Sequence, residues 1–428
     1  MMDIVTELEE KFMQKIRFGA NYIPSKNWLH SWMDWDEKSV EEDLSACKEI
    51  GIDHIRAHII WPYFQVDQYV INKQAFRNLE SFRKVCEKVN MDFCLSVFTG
   101  WMSGLVAVPA WVQCISKGNY CEGILSHPGV IEGEKYFLRE LTKVIGDSPN
   151  FLGFDLGNEM TCIADRDPKL TGKQADAWNC DMLNFCEELV PGKLHNNGDD
   201  HQPWFMKRYF SREVLANTGA ITPLHCYALF TGALDRFGRQ AEESIYLAPF
   251  MQELANAYSN DPVNRKYWVQ EFGTVTTDLN EEVFDFMRKS IDAMFTENNL
   301  WGITWWCTHN ISKNHTSFSD KEYVLGLFDN DNKITESGKM FSEMVKKYKT
   351  NSILPVKRTS AIVFRDSDIP KPEIVDWNTG LKFADATWKN AERFCDCIRN
   401  GIHPAIILPD KVGDKEYLKM RGIENILD

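Results

Sequence analysis

The sequence has no long hydrophobic run: no stretch offers the ~20 consecutive apolar residues a helix needs to cross a bilayer. Its opening residues, MMDIVTELEEKFMQKIRF, are charged and amphipathic and carry no apolar core of the secretory kind. Positive charge is scarce, with 48 Lys and Arg against 62 Asp and Glu and a net charge of −14. That balance argues against a nucleic-acid partner, which needs basic stripes, and against an anionic membrane surface. A neutral substrate is compatible with it. None of the 12 cysteines forms a CxxC pair, and the Cys395-x-Cys397 spacing has no His partner in zinc-site register, so no metal is expected. Several cysteines sit inside apolar runs, where a free thiol packs as a small hydrophobe, and a reducing cytoplasm is the expected location. The first apolar run is followed by GANYIPSKNW, which is no glycine-rich phosphate cradle, so a doubly wound nucleotide fold is disfavoured. No cofactor is expected.

What is present is a repeating pattern. The 428 residues suit one barrel with an appendage. Hydrophobic residues make up 44% and aromatics 12%, with 14 Trp, enough for a large core and for rings that stack on sugar faces. Short apolar runs at 16–21, 54–58, 93–98, 151–156, 193–197, 223–227, 267–271 and 303–306 read as eight strands. Between them lie stretches of helical period at 41–50, 73–89, 133–145, 175–189, 245–258, 281–295 and 335–348; in the second, Phe76, Leu79, Phe82, Val85 and Val89 fall on one face. Strand and helix in alternation predict an α/β protein, a (β/α)8 barrel spanning residues 1–350. Residues 351–428 differ in texture. Strands at 361–364 and 405–408, with helices at 386–399 and 415–421, predict a small α/β C-terminal extension that packs on the barrel or helps assemble a homo-oligomer.

Barrels of this kind carry their reactive groups at the C-terminal ends of the strands. The fourth run, FLGFDLGNEM, ends in Asn158 and Glu159. A carboxyl backed by Phe151, Phe154 and Leu156 is partly desolvated, which raises its pKa and suits a general acid. The seventh run, YWVQEFGT, delivers Glu271 to the rim. Each alone reads more readily as a surface turn than as a catalytic group. Together, on opposite sides of a closed barrel mouth, they are a candidate pair for glycoside hydrolysis, where retention needs two carboxyls ~5–5.5 Å apart and inversion a wider gap.

At this point the sequence resembles a family. GNE on the fourth run, His225-Cys226-Tyr227 on the sixth, QEFG on the seventh and a Trp ending the eighth are similar to the clan A glycoside hydrolases, nearest the cellulase and mannanase type, over residues 16–348. The resemblance implies that Glu159 is the acid/base, Glu271 the nucleophile, and Asn158 the partner of the sugar 2-hydroxyl. It implies that Arg56, which shares a strand face with His58, pairs with the nucleophile. Such a pairing would lower the nucleophile's pKa and separate the two carboxyl roles. Tyr227 could donate to Glu271, and His225 could bond substrate or position Glu159. Either Trp305 or Trp306 would floor the sugar site, with Trp306 preferred. Trp28, Trp32 and Trp35 of the first loop are further stacking candidates, as is Trp204 after the fifth run; Asp199 and Asp200 beside it read as a solvated loop. The third run lacks the His common in the cellulase type, leaving Thr99, Trp101 and Ser103 to line the site. The long 309–323 loop reads as functional.

The function expected is retaining hydrolysis of β-glucosides, β-mannosides or β-galactosides in short oligosaccharides. Two rivals use the same scaffold: a transglycosylase with the same two Glu residues, and an inactive carbohydrate-binding barrel, which would require one Glu to be missing. A metal-dependent barrel hydrolase would want His-x-His on its first strand, and none is there.

Overall fold

The computed structural model describes residues 16–206, 209–350, 356–364 and 385–427; the charged opening residues 1–15 lie outside the described residues. Seven parallel strands form one curled sheet: β1 (Arg17–Tyr22), β2 (His54–Ile60), β3 (Asp92–Thr99), β4 (Phe151–Asp155), β5 (Thr222–His225), β6 (Tyr267–Phe272) and β7 (Leu300–Trp305). Their spatial order is β4-β3-β2-β1-β7-β6-β5. The fold is the (β/α)8 barrel that the alternating pattern implied.

The fifth barrel position departs from expectation. Residues 193–197 are extended but do not form a regular strand. The amides of Leu194 and Asn196 donate to the carbonyls of Leu152 and Phe154, the Leu156 amide donates to the Asn196 carbonyl, and on the other side the Ala220 amide donates to the His195 carbonyl. The ladder breaks because the Phe154 amide is taken by a side chain, His195 Nδ1, at 3.1 Å. One bridge remains, between Asp155 and Asn196. The segment therefore closes the barrel while leaving its own side chains free for the interior.

Helices cover the sheet where the period placed them. Lys73–Val89 has the expected bounds: Asn72 caps its first turn, Asn90 takes the left-handed conformation at its end, and Phe76, Leu79, Phe82 and Val85 are buried. Gly172–Leu189 opens with a Thr171–Gln174 capping box. Glu336–Thr350 begins where Thr335 Oγ1 accepts the Gly338 amide. The stretch read as one helix over 245–258 is two, Glu242–Ile245 and Leu247–Tyr258. Pro249 supplies no amide for the Ile245 carbonyl, and its ring crowds that group, so the chain breaks at Tyr246 and restarts with Pro249 in the first turn. Pro128–Ile145 starts before the expected 133, with His127 capping Gly129 and Pro128 at the tolerant first position.

The C-terminal extension is a three-stranded parallel sheet, with Ser360–Val363 between Ala405–Ile407 and Asn425–Leu427, and the helix Asp385–Arg399. The third strand was not anticipated. The extension packs on the barrel through a buried ionic cluster: Glu253 of helix Leu247–Tyr258 accepts from Arg421 at 2.8 Å and from the Ile406 amide at 3.0 Å, and Arg358 pairs with Glu297. Among the described residues no helix is long and apolar enough to cross a membrane, and the cysteines are all free thiols.

Two glycines are required by close approach. A Cβ on Gly19 would lie 2.2 Å from the His54 ring. At Gly198, φ is +61° and a Cβ would sit 2.0 Å from Asp155 Oδ1 and 2.3 Å from the Gly157 carbonyl. Gly198→Ala should therefore push the fifth segment off β4, costing roughly 1–3 kcal/mol. Urea denaturation checks this; an unchanged midpoint would show that the contact relaxes freely.

Candidate active site

The centre of the barrel mouth is organised by Arg56 on β2. His54, Arg56 and His58 alternate inward, as residues two apart on a strand must. The Arg56 side chain is fully buried. Its Nε donates to Asp155 Oδ2 at 2.5 Å and its Nη1 to Glu271 Oε1 at 2.6 Å. Asn158 Oδ1 and Asn21 Oδ1 lie 3.0 and 3.2 Å from the same Nη1. One cation thus ties β2 to β4, β6 and β1.

Glu271 accepts a second hydrogen bond, from Tyr227 Oη to Oε2 at 2.9 Å. Its position depends on an irregularity in β6. The register against both neighbours shifts between Val269 and the Glu271–Phe272 region. A bulge of this kind re-aims side chains. Here it lets consecutive residues both reach inward: Gln270 Nε2 donates to Asn196 Oδ1 at 2.9 Å while Glu271 meets Arg56. In a regular strand one of the two would face outward.

Glu159 stands just past β4 at the start of the short helix Met160–Ala164, with φ 51° and ψ 57°. A non-glycine residue in this left-handed region is uncommon and strained. Its amide donates to the Gly198 carbonyl, so the fifth segment holds it in place. Its Oε1 lies 3.1 Å from His225 Nδ1. One carboxylate oxygen of Glu159, one of Glu271 and a nitrogen of His225 all lie within 4.8 Å of one another. The gap the sequence could not supply is therefore short.

The two carboxyls differ in their surroundings. Burial pushes Glu159 up to about 7, against weaker pulls from the Arg56 charge and a Trp101 hydrogen bond. Burial also raises Glu271; His225, Arg56 and the Tyr227 hydroxyl oppose it. The Arg56 pairing does not take Glu271 below the usual carboxylate range, because loss of water outweighs it. What separates the two is contact: Glu271 receives a guanidinium and a phenol directly, whereas Glu159 faces the cavity with its side chain 19% exposed. Two trios, Glu159–His225–Glu271 and Glu159–Cys162–Asp200, could offer atoms to a cation. Arg56 already supplies the positive charge at the first, and the second is an acidic cluster with hydrogen-bond partners of its own, so neither is read as a metal centre.

The cavity above this pair has a volume of about 670 Å³. Asn158, Tyr227, Trp306 and the two Glu residues line it, with Trp101 and Ser103 from the loop after β3. Other expected contacts lie behind its wall. Trp305 is fully buried, its Nε1 donating to the Leu325 carbonyl and its ring against Phe272 and Phe341. Trp28 packs edge-on to Phe318, and Trp204 is buried in the helix Gln202–Phe205. Trp32 and Trp35 stack on each other against the barrel's outer layer. Of these rings only Trp306 reaches the cavity, because inward and outward positions alternate and the first loop folds its indoles under itself. His58 bonds Asn21 and meets Trp306 edge-on, so it and Arg56 support the site from beneath. His225 is likewise buried. Asp199 and Asp200 are not a solvated loop: both are buried, Asp199 accepts from Thr161 and Asp200 lines the cavity. The long loop after β7 does contribute, through Lys321 and Glu322, the latter accepting from Ser103. Sequence reasoning missed Asn21, Asp155, Asn196 and Gln270; the position of these four amide and carboxylate residues inside apolar runs is the signal that points to them.

No family model and no curated protein matches the chain. Solved structures do. The chain is similar to a variant of a GH5_18 from Streptomyces cattleya in complex with Manb1-4GlcNAc, with 29% identity, 96% of this chain and 98% of that chain covered, and a TM-score of 0.85. A GH5_18 from Bifidobacterium longum subsp. infantis matches at 28% identity over 97% of each chain, also with a TM-score of 0.85. An exo-beta-1,4-mannosidase from an Opitutaceae bacterium shares the fold at 20% identity, covering 93% of this chain and 70% of its own, with a TM-score of 0.74. The likeness to clan A glycoside hydrolases of the cellulase and mannanase type, read from the motifs, is borne out.

Removing the central cation strands two buried carboxylates. Arg56→Met should cost about 3–5 kcal/mol, the usual penalty for breaking a buried pair from one side. A urea midpoint equal to that of the unmodified protein would contradict this role.

Proposed function

We propose that this chain, a glycoside hydrolase of the clan A kind, is a retaining β-mannosidase that cleaves short β-1,4-linked mannosides of the Manβ1-4GlcNAc type. The observation that carries the mechanism is the approach of Glu159 and Glu271 to within 4.8 Å across the barrel mouth. Retaining enzymes hold their carboxyls ~5–5.5 Å apart and inverting ones ~6.5–9.5 Å, the extra space seating a water. The short gap favours direct attack by a carboxylate.

In the first step Glu271 attacks the anomeric carbon, the glycosidic C–O bond breaks, and the proton of Glu159 passes to the departing oxygen. In the second, Glu159 takes a proton from water, the water oxygen bonds the anomeric carbon, and Glu271 leaves. Arg56 and Tyr227 hold the attacking carboxylate in one orientation through its two oxygens. Asn158, oriented by Arg56 and by its own bond to the Trp101 carbonyl, is the partner for the sugar 2-hydroxyl. Trp306 offers the ring face on which the sugar rests.

The substrate class rests on similarity to the GH5_18 structure in complex with Manb1-4GlcNAc, which spans nearly the whole of both chains. The closed shape of the mouth, with the loop after β7 reaching the loop after β3 through Glu322 and Ser103, suits short chains and exo action over a polymer.

Hydrolysis of Manβ1-4GlcNAc followed by proton NMR should show β-mannose first; α-mannose as the initial product would overturn the double displacement. Glu271→Ala and Glu159→Ala should each lower kcat/KM by roughly 10²-fold or more, the scale of nucleophile and general-acid losses. Because the acid must carry its proton, kcat/KM should fall as pH rises through about 7, the value to which burial lifts Glu159. A profile flat from pH 6 to 9 would remove Glu159 from that role.

A further inference from the structure

His225 has two oxygen atoms within hydrogen-bond distance, with Glu271 Oε2 further off at 3.6 Å from Nδ1, and a neutral imidazole can donate from only one nitrogen. Its Nδ1 lies 3.1 Å from Glu159 Oε1 and its Nε2 lies 3.2 Å from Gln270 Oε1. Which nitrogen carries the proton is fixed from further along the chain of bonds. Gln270 turns its oxygen to His225 because its Nε2 donates to Asn196 Oδ1. Asn196 cannot turn over, because backbone groups hold both ends of its amide. Its Nδ2 donates to the Leu194 carbonyl at 3.1 Å, and its Oδ1 accepts the Gly198 amide at 3.2 Å. A carbonyl can only accept and a peptide amide can only donate. The polarity of the whole row follows from those two groups: Asn196 accepts from Gln270, Gln270 accepts from His225 Nε2–H, and Nδ1 is left as a lone pair pointing at Glu159.

We propose that Asn196 and Gln270 are positioning residues which set the tautomer of His225, so that Nδ1 accepts from Glu159 and the acid's proton rests on Glu159. This builds on the reading of Glu159 as the acid/base. It supplies what the catalytic cycle needs at both ends. Before cleavage, the protonated carboxyl has an acceptor that holds it in place. After the proton has left with the departing oxygen, the carboxylate faces a lone pair, and that repulsion favours taking a proton back from water. The other distribution, an imidazolium donating to both oxygens, is opposed by burial, the largest influence on His225, and by the nearby Arg56 charge, which together outweigh the pull of the Glu271 carboxylate toward the charged form.

Groups on every side of Glu159 bear on its titration. His225 and Tyr227 face it from β5 and the turn beyond, Glu271 from β6, Arg56 from β2, Asp199 and Asp200 from the closing segment, and Cys162 from the helix that Glu159 begins. None of these but His225 has its hydrogen-bonding direction set by the Asn196–Gln270 row.

The test uses the full chain labelled with ¹⁵N-histidine, the His225 signal being the one absent from His225→Gln. The unmodified protein should show the Nε2–H tautomer at neutral pH. Gln270→Met, similar in shape but without the acceptor, should release the ring to donate from Nδ1 and lower the alkaline limb of kcat/KM by about one pH unit, the scale of a lost hydrogen-bond influence on one carboxyl. Gln270→Glu, which keeps an acceptor toward Nε2, should leave the limb where it is or raise it. An Nδ1–H tautomer in the unmodified protein, or an alkaline limb in Gln270→Met that coincides with the unmodified one, overturns the proposal. The tautomer is read without substrate, so a protein with no glycosidase activity would sink the functional reading while still deciding this one.

Discussion

A guanidinium sealed from water among two carboxylates and two amides is the interaction on which the site depends. Arg56, itself on β2, reaches β1, β4 and β6 with a single side chain and bonds to residues of all three. Buried charges of this kind contribute little net stability, since the cost of dehydration is close to the gain from pairing. Their effect is on geometry. Among the described residues Asp155 pairs with no other cation, so Arg56 cannot drift toward Glu271 without leaving a buried carboxylate unpaired, nor away from it. The position of Glu271 is thereby coupled to the closure of the barrel itself.

The second carboxyl is held by a different logic. Among the described residues Glu159 has no Lys or Arg partner. It is placed by its own backbone, bent into the left-handed region and anchored on the Gly198 carbonyl, and by an imidazole whose protonation is settled through Gln270 and Asn196. The irregular fifth segment is what makes this possible. A regular strand there would have used the Phe154 amide in its ladder; with that amide taken by His195, the segment presents Asn196 to the interior and the Gly198 carbonyl to Glu159. An apparent defect in the barrel is thus the support for one of the two carboxyls.

Much of this architecture was legible in the sequence where a physical period or a closed set of alternatives was at work. The face of Lys73–Val89 follows from apolar spacing, and the placement of Glu159 and Glu271 follows from apolar runs ending in carboxyls. Three things were not legible. The bulge in β6 leaves no mark on composition, so nothing in the sequence shows that Gln270 and Glu271 both reach inward. The strand at 193–197 has the right residues, but one histidine side chain interrupts it. The indoles of the first loop look like sugar platforms by type, and only packing shows that Trp28 and Trp32 serve as core. In each case local pattern was overruled by a contact between residues distant in sequence.

The central claim is that Glu271 forms a covalent bond to the sugar. A 2-deoxy-2-fluoro-β-mannosyl fluoride slows the release step more than the attack, so the intermediate should accumulate. Mass spectrometry of the intact protein should then show one added fluoromannosyl group, and digestion should locate it on the peptide containing Glu271. An adduct on any other residue, or complete turnover with no adduct under conditions where Manβ1-4GlcNAc is hydrolysed, would contradict the account.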